Sequence, residues 1–283
     1  MKDSELKALI TLLEDEDDEI VTHVEQKLME IGTSVIPLLE EEWETNFNPL
    51  IQTRIEDLIH TLQFELLQER LIDWKEHREE DLLEGLWVLA TYQYPDLDIE
   101  ELRQDFHQFY IDVWREFRDQ MAPFDQVRLI NSILFEKFRF RANTKNFHSP
   151  ANSMINAVLE SKKGNPISLC SIYMLIARKL ELPIHGVNLP NLFILKYQTE
   201  TTEFYINVFN KGLIFSREDI DNYLEQLDIA PQDLFYEPCT NLDIIVRSIR
   251  NLMVSFEKLG DYQRTDELKM VIERLDKNLM NPE

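Results

Sequence analysis

The sequence predicts an α+β protein, mostly helical, with a small antiparallel sheet packed on a buried helix. Three observations carry that expectation. Apolar residues recur at helical spacing through the first 140 residues. Between Ile184 and Phe215 the pattern changes to short β-branched and aromatic runs separated by Pro, Asn, Thr and Gly. From Leu242 helical periodicity returns as two runs broken at Gly260-Asp261.

Taken in order, Leu6, Leu9, Ile10 and Leu13 predict a first amphipathic helix, and Ile20, Val21, Val24, Leu28 and Ile31 a second, with the turn Asp15-Glu16-Asp17-Asp18 between them. Gly32 stops the second helix, and Pro37 sits in the first turn of the next, where a missing N–H is tolerated. This unit resembles one HEAT-type helical repeat, with no second clear copy. A longer helix carries Leu50, Ile51, Ile55, Leu58, Ile59, Leu62, Leu66, Leu67 and Leu71 on one broad face. Three more helices are expected between Asp81 and Phe138, broken at Tyr94-Pro95-Asp96 and Ala122-Pro123, because proline removes a helical hydrogen bond. Their aromatic residues, among them Trp87, Phe106, Phe109 and Trp114, stand at helical spacing without a basic groove, which assigns them to a core rather than a base-stacking platform.

Residues 139–150 read as a polar loop. Helix formers resume at Ala151 and stop near Lys163-Gly164, after which Pro166 and Ser168 start a helix carrying Leu169, Ile172, Tyr173, Leu175, Ile176 and Leu180. Strands are predicted over 184–187, 192–197, 203–208 and 212–215. Ser216, followed by Glu218 and Asp219, caps another helix. The last two helices, Leu242 to Leu259 and Tyr262 to Leu279, should pair as a hairpin. These elements group into an acidic helical module over 1–75, a core with its preceding helices over 76–240, and the helical hairpin over 241–283.

With 283 residues, 44% of them hydrophobic, the chain has ample material for a core. Its net charge of −24 is concentrated in the first half: residues 1–120 hold 32 Asp and Glu against 10 Lys and Arg, and residues 121–283 hold 21 against 19. Such a surface repels phosphate backbones and anionic lipids, so nucleic acid and membrane are disfavoured as partners. The plainer role of that charge is a solvated face that keeps the protein in solution. No run of eighteen apolar residues occurs, and the amino terminus turns acidic before a secretory apolar region is complete, so a cytoplasmic location is expected. Cys170 and Cys239 are too few for a disulfide framework and lack metal-ligand spacing with the six histidines, so neither metal nor cofactor is expected. A basic cluster, Lys137, Arg139, Arg141, Lys145, Lys162 and Lys163, precedes the helix at Pro166. It is open to three readings: a surface against which the acidic half docks, a site for an acidic ligand, or a scatter of surface charge.

The blocks FRFRANTKNFHSPANS (138–153), KKGNPISLCSIYMLIARKLELPIHGVNLPNLFILK (162–196), FYINVFNKG (204–212) and NLDIIVRSIRNLMVSFEKLGDYQRTDELKMVIERL (241–275) are similar to the bacterial SirB-type branch of the transglutaminase-like superfamily. The last block resembles the tetratricopeptide-type hairpin of that branch. The superfamily is itself similar to papain-type cysteine hydrolases, in which a cysteine begins a buried helix, a histidine on the following sheet takes its proton, and an aspartate on the next strand orients the histidine. With Gly164 as the glycine before the cysteine and Glu181-Leu182-Pro183 as the Gly-Ile-Pro after the helix, the resemblance places the cysteine position on Pro166. The histidine position falls on Leu192, within Leu189-Pro190-Asn191-Leu192-Phe193, and the aspartate position on Asn207, within Ile206-Asn207-Val208-Phe209-Asn210.

A triad acts as a unit, so these changes imply that this constellation does no cysteine chemistry. The resemblance then implies a non-catalytic protein that binds a protein or peptide partner, with a residual cleft lined by Asn165, Ser168, Cys170, Asn191 and Asn207. The sequence leaves its oligomeric state open. The competing expectation is a hydrolase or acyltransferase of altered mechanism. In it Cys170, one helical turn beyond Pro166, or Ser168 would be the nucleophile, and His185 or His148 the base. The structural roles of the two nucleophile candidates are a small buried hydrophobe for Cys170 and a helix cap for Ser168.

Overall fold

The computed structural model describes residues 3–15, 17–118 and 120–275. The chain forms two compact units, Met1–Arg70 and Leu71–Glu283.

The first unit is helical: α1 (Asp3–Thr11), α2 (Asp18–Ile31), α3 (Ile36–Thr45) and the greater part of α4 (Pro49–His77). The periodic apolar residues converge on one core that includes Ile10, Leu13, Val24, Leu28, Leu39 and Ile55. Asp17 caps α2 by accepting the Glu19 N–H at 2.9 Å, and Gly32, at φ +78°, ends it. Glu16, in the acidic turn, lies outside the described residues.

In the second unit the last turns of α4 place Trp74 in the core, its indole N–H on the Asp81 carbonyl at 2.8 Å. There follow α5 (Leu82–Ala90), α6 (Ile99–Trp114), α7 (Pro123–Asn131), β1 (Arg141–Ala142), α8 (Ile155–Ser161), β2 (Lys163–Gly164) and α9 (Pro166–Lys179). Eleven of the fourteen residues of α9 are buried, because helices α5, α6 and α8 and a sheet all pack around it. That sheet is an antiparallel meander, β3 (Ile184–Leu189), β4 (Leu192–Gln198), β5 (Glu203–Asn207) and β6 (Leu213–Phe215). Gly186 in β3 lets Phe193 lie across the sheet; a Cβ there would stand 2.6 Å from the ring. One sheet face meets α9, and α10 (Arg217–Gln226) covers the other with Ile220 and Leu224. The hairpin of α11 (Asn241–Leu259) and α12 (Tyr262–Leu275) joins this core through contacts of α11 with α5 and α9. Gly260, in the left-handed conformation, closes α11. The predicted last turn of α12, reaching Leu279, lies outside the described residues.

The sequence anticipates the four strands of the meander to within two residues, and the α+β class with its small sheet on a buried helix is the observed fold. Three local expectations are corrected. Residues 139–150 are not loop throughout: Arg141 and Ala142 pair in parallel with Lys163 and Gly164, a ladder too short to show any periodicity. The helix expected from Ala151 is a 3-10 turn over Pro150–Ser153 followed by α8, since Met154 adopts an extended backbone and buries its side chain. The cap of α9 is Asn165 rather than Ser168.

Candidate functional site

The amino-terminal end of α9 is built as a reciprocal cap. Asn165 has an extended backbone, and its Oδ1 accepts the Ser168 N–H at 2.9 Å. Ser168 Oγ accepts the Asn165 N–H at 3.1 Å. Pro166 occupies the first helical position, where no N–H is needed. Asn165 Nδ2 also donates to Ser153 Oγ at 3.0 Å, which ties the helix head to the turn before α8. Asn165 and Ser168 are both buried.

The sequence-derived nucleophile candidates are held in structural roles. Ser168 Oγ spends its bonding on the Asn165 backbone, accepting from its N–H and donating to its carbonyl at 3.2 Å. Cys170 is fully buried, with its thiol on the Phe193 carbonyl at 3.5 Å. Burial pushes that thiol well above its ordinary range, against a smaller lowering from the Val208 backbone N–H. His185 lies on β3 opposite Lys196, on the strand face that continues with Val187 and Leu189 towards α10. Desolvation, with Arg178 and Lys196 nearby, lowers its pKa, and it makes no bond to Cys170. His148 is exposed in the loop before α8.

A cleft of about 240 Å³ opens beside the head of α9. Its floor and rim include Asn165, Pro166 and Ile167 from the helix, Asn191 from the β3–β4 turn, and His148 from the loop. Asn191 takes the left-handed conformation, φ +59°, at the second corner of the two-residue turn Pro190-Asn191, a position that asparagine tolerates better than most side chains. The expected cleft lining is therefore corrected in part: Asn165 and Asn191 line the cleft, whereas Ser168, Cys170 and Asn207 do not. Ser168 and Cys170 point into packed interior, and Asn207 Oδ1 accepts the Asn210 N–H at 3.0 Å at the end of β5.

The three positions that the resemblance assigns to a triad separate in the same way. Pro166 borders the cleft. Leu192 packs with the cluster that holds Ile194, Ile220 and Leu224 on the α10 face of the sheet. Asn207 caps the turn after β5. Among the described residues Ser168 bonds to the Asn165 backbone and Cys170 to the Phe193 carbonyl, and neither bonds to an imidazole.

The far wall of the cleft was not anticipated. It comes from α11, whose Arg247, Asn251 and Ser255 stand four residues apart and so share one face with Val254 beside them. The signal available in the sequence was the spacing of Arg247, Asn251 and Ser255, a polar line along one side of an amphipathic helix. Arg247 Nη2 donates to the Leu189 carbonyl at 3.3 Å. Burial and then the like charge of Arg250 lower its pKa. Two members of the basic cluster 137–163 are engaged elsewhere: Lys137 reaches Asp112 at 3.5 Å, and the Lys162 ammonium lies 4.6 Å from the Phe109 ring centre. Among the described residues there is no grouping of three or more His, Cys, Asp or Glu that could hold a metal, and no helix is long and apolar enough to cross a membrane.

The helix-then-sheet arrangement around α9 is the transglutaminase-like core, and residues 100–250 match the family model of the transglutaminase-like superfamily. The chain belongs to that superfamily. Among its relatives are UPF0162 proteins from two strains of Xylella fastidiosa. One is 28% identical over 190 residues, covering 65% of this chain and 67% of the relative. The other is 29% identical over 178 residues, covering 60% of this chain and 63% of the relative. The chain thus matches about two thirds of the length of these relatives. A shorter stretch of 91 residues is 31% identical to mouse F-box only protein 21, covering 29% of this chain and 14% of the relative. No solved structure matches the chain.

Proposed function

We propose that this chain is a non-catalytic transglutaminase-like protein that binds a protein or peptide partner through the cleft at the head of α9. The observation that carries the reading is Pro166: at the position where the superfamily's nucleophile is expected, the cleft presents a residue with no nucleophilic group. The sealing of Cys170 beneath it supports the same reading, because a thiol with no access and a raised pKa supplies little thiolate at neutral pH. The acidic amino-terminal surface favours protein over nucleic acid or membrane as the partner. The free thiols Cys170 and Cys239 suit a reducing, cytoplasmic setting.

The opposing reading, a hydrolase or acyltransferase using Cys170 or Ser168, needs a nucleophile that solvent and substrate can reach. Alkylation of the native full chain with iodoacetamide near neutral pH, followed by mass spectrometry, separates the two. Cys170 is expected to stay unmodified until denaturant is added. Rapid native-state modification of Cys170, with Cys239 spared, would establish an activated thiol and defeat the binding reading.

A further inference from the structure

Arg247 is the one feature of the cleft that the fold does not explain. Its guanidinium is half-buried, carries five N–H donors and gives one hydrogen bond, to the Leu189 carbonyl. No Asp or Glu of the described residues pairs with it, and a neighbouring charge, Arg250, has the same sign. Elsewhere in this unit Arg78, Arg103 and Arg264 each hold a carboxylate, and Arg178, likewise desolvated, gives its hydrogen bond to the Asn241 amide oxygen at 2.7 Å rather than facing a cleft. A desolvated cation without a counter-ion is costly, so the missing anion is expected to come from a ligand.

The surroundings narrow its chemistry. The positive end of the α9 dipole borders the same cleft, and the His148 ring and Asn251 amide add polar edges. Phe147, Phe193 and Val254 supply apolar walls on the same small volume. At about 240 Å³ the cleft lies just below the roughly 300–1,000 Å³ of ordinary small-molecule sites, which fits one or two terminal residues rather than an extended strand. We propose that it captures the carboxylate at the C-terminus of a peptide ending in an apolar residue, with Arg247 as the anion-binding group and the aromatic walls receiving the last side chain. This deepens the peptide-binding reading above and rests on it.

The test titrates the full chain calorimetrically with N-acetyl-alanyl-phenylalanine, with its C-terminal amide, and with inorganic phosphate. The free acid is expected to bind, and the amide to bind at least about tenfold more weakly, the loss of one charge-assisted contact. Arg247→Gln is expected to weaken the acid by a similar factor while leaving the amide unchanged. Should that variant fail to fold, the acid-against-amide comparison on the unaltered chain decides alone. Equal binding of acid and amide, no binding at millimolar concentration, phosphate binding more tightly than the acid, or a folded Arg247→Gln that keeps wild-type affinity would each overturn the assignment. Hydrolysis of the probe during the titration would instead refute the non-catalytic reading while leaving the carboxylate site in place.

Discussion

The head of α9 is where fold and site meet, and Asn165→Ala perturbs it most directly. The substitution removes the cap on the Ser168 N–H, which costs about 1–2 kcal/mol at helix amino termini. It also removes the donor to Ser153 Oγ, a buried neighbour, for about another 1 kcal/mol. The two losses amount to roughly 2–3 kcal/mol, and for a unit of this size about 2–4 °C of melting temperature follows each kcal/mol. A fall of roughly 4–12 °C is therefore expected in the transition of the second unit, measured by circular dichroism or calorimetry. Asn165→Asp keeps the acceptor and adds a favourable charge at the helix amino terminus but, like alanine, lacks the donor to Ser153 Oγ, so its loss should be smaller than that of alanine without vanishing. A double-mutant cycle with Ser153→Ala should show a coupling of about 0.5 kcal/mol or more, as neighbours in one hydrogen-bond network do. An Asn165→Ala chain that melts within 2 °C or so of wild type would mean that the cap does not hold the helix head, and the case for a preformed cleft would fall with it.

Other perturbations test the packing around the site. Gly186→Ala would place a Cβ 2.6 Å from Phe193 Cζ and 3.2 Å from Cys239 Sγ, so overpacking of about 1–3 kcal/mol is expected by denaturant titration. Gly212→Ala adds backbone strain at φ +72° and strikes the Asn131 amide that donates to the Gly212 carbonyl at 2.9 Å, so it should destabilise by more than about 1 kcal/mol. Lys196 is buried between Glu203, at 3.1 Å, and Glu237, at 3.8 Å, whose side chains reach solvent. Lys196→Met, which keeps the volume, should change stability by no more than about 1 kcal/mol, whereas Lys196→Ala, which opens a cavity, should cost at least about 2. The Ser216 backbone and hydroxyl hold the Asp219 carboxyl below its usual range. Its contribution is present above the ordinary carboxylate pKa and disappears as pH falls through the lowered value. The stability gap between wild type and Asp219→Asn should therefore close below about pH 4 and stay constant at neutral pH.

Much of the fold was legible from local pattern. Short β-branched and aromatic runs bounded by turn formers marked β3 to β5, and Ser216, Gly260 and Pro123 marked helix ends because capping chemistry is local. β1 and β2 escaped notice because two paired residues carry no period, and their partners lie 22 residues apart in the chain. The cap of α9 was misplaced by three residues because Asn165 and Ser168 bond reciprocally, and both have side chains suited to capping.

That Pro166, Leu192 and Asn207, the positions the resemblance assigns to a triad, carry no thiol, imidazole or carboxylate is a property of the sequence alone: residue identity decides whether a group can carry a proton or attack a carbonyl, wherever it sits. Which residues share a cleft was settled only by tertiary structure. Arg247 and Asn251, more than 80 residues from Pro166, come to the head of α9 because α11 packs on α9, while Cys170 is turned inward and Leu192 lies on the opposite sheet face. Side-chain chemistry is inscribed residue by residue; the direction each side chain faces depends on which distant helix and strand close over it.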